Sequence, residues 1–160
     1  MPVTYNKVLC AVNLAECAAE EVVKHAASIC KRYGATLHLL YSLEEKSVEF
    51  LVSRLSKAVS GEALREYGQL LSTLEERDAR VLQDLAQKSE DLWECQVETT
   101  ISRGEPYTEI LETAQRIGAD MIVVGSHSAP VLGKVLLGST AEKVLHRTIC
   151  PVLLVPLGKE

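Results

Sequence analysis

The chain has 160 residues, 47% hydrophobic and 24% charged, which is the composition of a globular domain with a sizeable core and excludes a disordered segment. Its net charge of −5 argues against nucleic acid as a partner, since duplex binding draws on basic surface; a small anion held by local dipoles stays compatible. No apolar stretch approaches the roughly 20 residues that cross a bilayer, and the opening Met-Pro-Val-Thr-Tyr-Asn-Lys carries no export signal, so no membrane partner is expected and the cytoplasm is the expected compartment.

Val8-Leu9-Cys10-Ala11-Val12 is apolar without alternation and reads as a strand buried on both faces. Ala18, Ala19, Val22, Val23, Ala26, Ile29, Cys30 and Tyr33 follow at helical spacing, and Gly34 stands where a C-cap glycine belongs. Leu37 to Leu40 is a second buried strand. The next span is charge-rich, but Leu64, Tyr67, Leu71, Leu74, Val81, Leu82 and Leu85 keep a helical period. That predicts an irregular piece from residue 44 and then a long amphipathic helix over about 62–88.

Glu94 to Ser102, where Val97, Thr99 and Ile101 alternate, reads as an edge strand. Pro106 can open a helix whose apolar face is Ile110, Leu111, Ala114 and Ile117, with Gly118 closing it. Met121 to Val124 is another buried strand. Ser139-Thr140-Ala141-Glu142 has the spacing of a capping box ahead of Val144 and Leu145, and Val152 to Val155 is the last strand. Strand and helix alternate throughout. This predicts one α/β domain over residues 1–160, an open parallel sheet with helices on both faces.

The five cysteines, Cys10, Cys17, Cys30, Cys95 and Cys150, form no C-x-x-C pair and are expected to be reduced, mostly buried thiols. His25, His38 and His146 show no metal-ligand spacing, so structural roles are expected and no metal site. Glu44-Glu45 and Glu75-Glu76 lie in helical, charged surroundings and read as solvated. No nucleophile–base pair, G-x-S-x-G elbow or Walker A loop is visible, so no catalytic residue is assigned.

In open α/β sheets, ligands bind beyond the carboxyl ends of strands where the strand order reverses. Val12-Asn13-Leu14 is one such end, and Val124-Gly125-Ser126-His127-Ser128 another. Gly125 has no Cβ to keep a ligand away. Gly138 and Ser139 sit at a helix start, where unpaired N–H groups and the dipole favour an anion, and the Ser139 and Thr140 hydroxyls add donors. His127 would contribute through its backbone. Lys134 could reach a terminal phosphate or simply be solvated. On these residues alone, a phosphate site and a plain helix cap both stand.

Gly125, two residues, Ser128, nine residues and Gly138-Ser139 fit, at all but the second glycine, the nucleotide motif of the universal stress protein family. "KVLCAVN", "GEP", "GADMIVVGSH" and "LLGSTAEKVLHRTICPVLLVP" extend that resemblance over nearly the whole chain. The resemblance implies a Rossmann-like five-stranded sheet ordered 3-2-1-4-5. It also implies a homodimer joined through the last strand, at Pro151, Val152, Leu153, Leu154 and Val155. In one branch of the family it implies ATP or a related adenine nucleotide, with Mg2+ as an optional companion. The implied nucleotide contacts are Val12, Asn13 and Ser42 toward the base. Toward the phosphates they are Val124, Gly125, Ser126, His127, Ser128, Gly138, Ser139, Thr140 and Ala141.

Two positions depart from the family pattern. Asn13 replaces the usual Asp and is a poorer partner for a metal ion. Ser128 replaces a glycine, at a cost of about 1–2 kcal/mol if the backbone there is left-handed. The expected function is a cytoplasmic, ATP-binding regulatory homodimer in stress response, with any ATP hydrolysis slow and incidental. The alternative is a dimeric scaffold whose degenerate pocket holds no nucleotide.

Overall fold

The computed structural model describes residues 2–14, 19–44, 61–126 and 137–157. Five parallel strands form one sheet: β1 (Lys7–Ala11), β2 (Thr36–Leu43), β3 (Val97–Arg103), β4 (Met121–Ser126) and β5 (Val152–Pro156). Their order is β3-β2-β1-β4-β5, as the family resemblance implies. Among the described residues, four helices connect them: α1 (Ala19–Tyr33), α2 (Gly61–Trp93), α3 (Pro106–Ile117) and α4 (Ser139–Arg147).

The apolar runs are unalternating because the central strands are covered twice. Val8 and Cys10 join Leu37, Leu39 and Val123 in the core beneath α1 and α2. Leu9 points the other way, to Leu40, Ile122, Ile110, Ala114 and Val144, in the core beneath α3 and α4. At the base of the sheet, Asp120 Oδ2 accepts the N–H groups of Asn6 (2.6 Å) and Lys7 (2.9 Å). The Asp120 N–H donates to the Lys7 carbonyl (2.8 Å). These bonds fix β1 against β4, and so fix the relation of their far ends.

α1 closes at Gly34, whose φ of 66° is the left-handed conformation that glycine adopts without a Cβ clash. α2 runs five residues past its expected end, to Trp93, because Trp93 packs against the core and the Glu90 carboxylate accepts the Val97 N–H (3.3 Å). It is unbroken at Gly68. The irregular piece expected ahead of it falls on residues 45–60, outside the described residues. β3 is the edge strand that the sequence predicts.

α4 departs from expectation by one residue. Gly138, with φ −60° and ψ 155°, is the N-cap, and its carbonyl accepts the Glu142 N–H (3.0 Å). Ser139 is therefore the first helical residue, one position too late for the reciprocal bonds of a capping box, and no side chain caps the helix. On β5, Val155 is 2% exposed and belongs to the core beneath α1, whereas Val152, Leu153 and Leu154 are half-buried.

Cys10, Cys30 and Cys95 are free and buried in the same core, and Cys150 is half-buried; Cys17 lies outside the described residues. Burial pushes the Cys30 thiol up to about 12 and raises Cys10 and Cys95 as well. The thiolate is the reactive species. Alkylation at neutral pH, mapped by peptide mass spectrometry, is expected to leave these three cysteines unmodified until denaturant is added. Modification of Cys30 in the folded protein would contradict this.

His38 on β2 is 6% exposed, and burial lowers its imidazole from the usual 6.5 despite the pull of Glu98. Arg116 from α3 and Lys7 from β1 also disfavour its charged form. The unfolded chain therefore takes up this proton first as pH falls. Stability from this site is full above about 6.5 and is lost as pH drops toward the lower folded value. The melting temperature is expected to fall between about pH 7 and pH 5 more steeply in wild type than in His38→Gln. Parallel curves would show that His38 is not the group responsible.

Candidate functional site

β1 is flanked by β2 on one side and β4 on the other, so the crossovers leaving β1 and β4 pass over opposite faces and a crevice opens between the strand ends. It is a cleft of about 500 Å³, within the roughly 300–1,000 Å³ of small-molecule sites. Of the residues assigned from the sequence, the fold brings nine to its wall: Val12, Asn13, Ser42, Val124, Gly125, Gly138, Ser139, Thr140 and Ala141. Ser126 is not among them. Its side chain is 0% exposed, and its Oγ has no hydrogen-bond partner among the described residues. His127, Ser128 and Lys134 lie outside the described residues.

The end of β2 is tied to the turn before α3. Ser42 Oγ donates to the Gly104 carbonyl (3.0 Å), and the Gly104 N–H donates to the Leu43 carbonyl (3.1 Å). Gly104 has φ 147°, a conformation that side chains resist, so the glycine of "GEP" is what lets this turn close. The turn brings Pro106 and Ile110 to the cleft wall, which the sequence reading missed. It also missed Tyr41, Val22 and Leu157. Tyr41 is next to Ser42 in sequence, and that adjacency was the available signal; Val22 and Leu157 arrive by long-range packing alone.

The close approach at Gly125 is to protein. A Cβ there would lie 3.0 Å from both Leu157 Cδ1 and Val22 Cγ2, so the missing side chain lets α1 and the exit of β5 close the cleft floor. Burial, and then the Asp78 carboxylate of α2, push the Tyr41 phenol up to about 12, so it stays neutral at the cleft wall.

Opposite this apolar end stands the start of α4. The N–H groups of Ser139, Thr140 and Ala141 precede the first intrahelical bond, and among the described residues no side chain caps them; they stand at the positive end of the helix dipole, which favours an anion. Among the described residues no lysine or arginine lines the cleft. Lys143 is paired with Glu105 (3.2 Å) and lies 4.6 Å from the centre of the Tyr107 ring. No cluster of His, Cys, Asp or Glu that could hold a metal is present among the described residues, and no helix is long and apolar enough to cross a membrane. The arrangement suits a ligand with a flat apolar part and an anionic part.

A parallel sheet ordered β3-β2-β1-β4-β5, with a cleft at its switch point, defines the doubly wound α/β class. Within that class, the chain matches the model of the universal stress protein family over residues 4–156, and it belongs to that family. It is similar to universal stress protein MJ0531 of Methanocaldococcus jannaschii, 31% identical over 140 residues that cover 88% of this chain and 76% of that one. It is 28% identical to universal stress protein MJ0577 of the same organism, over 97% of each chain. The solved structure of MJ0577 matches with a TM-score of 0.79 at 25% identity, covering 99% of this chain and all of that one. Two solved structures share the fold at lower identity. A universal stress protein in complex with cAMP has a TM-score of 0.61 at 20% identity, with 96% of this chain and 98% of that chain covered. The Archaeoglobus fulgidus protein in complex with dAMP has a TM-score of 0.59 at 19% identity, with 96% and 99% covered.

Proposed function

We propose that this universal stress protein binds ATP or a related adenine nucleotide in the cleft, as a regulatory ligand of a cytoplasmic homodimer built from a single domain over residues 1–160. The observation that carries this reading is the uncapped start of α4 opening into the same cleft as the ends of β1 and β2. The phosphates lie on the N–H groups of Ser139, Thr140 and Ala141, with Gly125 and the backbone of Ser126 beneath. The base lies toward Val12, Asn13, Tyr41 and Ser42. Fold relatives that hold cAMP and dAMP support an adenine ligand. Asn13 lacks the charge that would recruit Mg2+, so the nucleotide is held chiefly by dipoles. In this reading the nucleotide acts as a signal, and any hydrolysis is slow and incidental.

The absence of a cationic lining among the described residues, with Asn13 and Ser128, favours a second reading: a dimeric scaffold with an empty pocket. Denaturing the purified protein and identifying the released small molecules separates the two. Calorimetry with ATP, ADP and AMP extends the test to weak binding. Ser128→Gly is expected to tighten ATP about tenfold where serine strains the bound turn. No heat at millimolar nucleotide from either protein, both folded, would leave the scaffold reading.

A further inference from the structure

The two faces of the edge strand β3 differ. Val97 and Ile101 pack beneath α2, whereas Glu98, Thr100 and Ser102 alternate onto the opposite side, and no β3 residue joins the apolar core beneath α3 and α4. His38 on the neighbouring β2 meets this polar row. Its Nε2 is 2.7 Å from Thr100 Oγ1, and its Nδ1 is 3.3 Å from a Glu98 carboxylate oxygen. An ionised carboxylate only accepts, so Nδ1 carries the proton; Nε2 is then left to accept from the Thr100 hydroxyl. Carboxylate, imidazole and hydroxyl in this order make up the arrangement that activates an alcohol as a nucleophile. Ser102 Oγ, two residues along the same face, is buried without a hydrogen-bond partner among the described residues. It is an unused donor one pleat along the strand from Thr100.

We propose that Thr100 is an acyl acceptor: with His38 as its base and Glu98 holding the imidazole, its hydroxyl takes the acyl group of a small activated donor such as an acyl phosphate or a reactive ester. Thr100 Oγ attacks the carbonyl carbon and a new C–O bond forms. The bond to the leaving group breaks, and that group departs as an anion with the electron pair. The Thr100 proton passes to His38 Nε2 and on to water; while it resides there, Glu98 balances the imidazolium. Nothing is oxidised or reduced. Ser102 Oγ–H donates to the developing oxyanion. Thr100 is half-buried, which restricts the donor to small acyl groups. His38 is buried against Thr100, which restricts the donor to leaving groups that need no proton. Burial also keeps the imidazole neutral and able to act as a base at pH 7. This site is separate from the nucleotide cleft and does not depend on it.

The test uses the full chain and p-nitrophenyl acetate at about pH 7.5, where the imidazole is neutral, read by intact mass and peptide mapping. Acetyl is expected on Thr100 in wild type and in Thr100→Ser, and on no residue at this position in Thr100→Val. His38→Gln is expected to slow labelling of Thr100 about 100-fold or more, and Ser102→Ala about tenfold or more. The wild-type rate should fall as the solution is acidified through the imidazole titration. Should His38→Gln not fold, Glu98→Gln and this pH profile carry the test. Acetyl confined to lysines and the amino terminus in wild type would overturn the proposal. So would an unchanged Thr100 rate in folded His38→Gln, or a rate indifferent to pH.

Discussion

Gly138→Val is expected to abolish nucleotide binding while the protein stays folded. Gly138 holds φ −60° and ψ 155°, a region that any residue adopts, so valine introduces no backbone strain. Its position is the N-cap of α4 on the wall of the cleft, directly ahead of the N–H groups assigned to the phosphates. A branched side chain there occupies the space in front of those donors and replaces their ligand with hydrocarbon. An anion site built from dipoles has no charged side chain among the described residues to compensate. A loss of at least tenfold, about 1.4 kcal/mol, is the minimum expected. Calorimetry gives the affinity, and a thermal melt within a few degrees of wild type confirms folding. Unchanged ATP affinity in the folded variant would move the phosphates away from α4.

The second large effect concerns β5. It pairs with β4 on one side only, so it ends the sheet, and an apolar edge of this kind invites pairing with another copy across a two-fold axis. Leu153→Glu is expected to convert a dimer into a monomer, measured by light scattering at micromolar concentration. Leu153 is half-buried within one chain, so a charge there keeps a route to water when the partner leaves. Val155→Glu serves as the contrast. That side chain is enclosed in its own core, and the carboxylate would be buried unpaired at a cost of about 3 kcal/mol or more, so a fall in melting temperature is expected whatever the oligomeric state. A wild-type chain that is monomeric at micromolar concentration would rule out the dimer. A Leu153→Glu protein that remains dimeric would move the interface away from β5.

The strands and their class were legible in the sequence because burial on both faces leaves a local mark. Val8 to Val12 and Met121 to Val124 are apolar at every position since helices cover both sides. The helix ends at Gly34 and Gly118 were legible for a similar reason, as left-handed closing residues select glycine. The cleft was readable as far as its ingredients, the ends of β1 and β4 and the glycine-serine helix start. Contacts between distant residues left no such mark. The one-residue shift of the α4 cap was set by the backbone angles at Gly138, which residue types alone do not fix. Val22 and Leu157 reach the cleft floor because the strand order places α1 and the exit of β5 on either side of β4. His38 read as an isolated histidine; its partners Glu98 and Thr100 are 60 and 62 residues away. Only the parallel register of β2 against β3, which pairs His38 with Glu98 and sets Thr100 one pleat further along, puts a carboxylate and a hydroxyl on its two nitrogens.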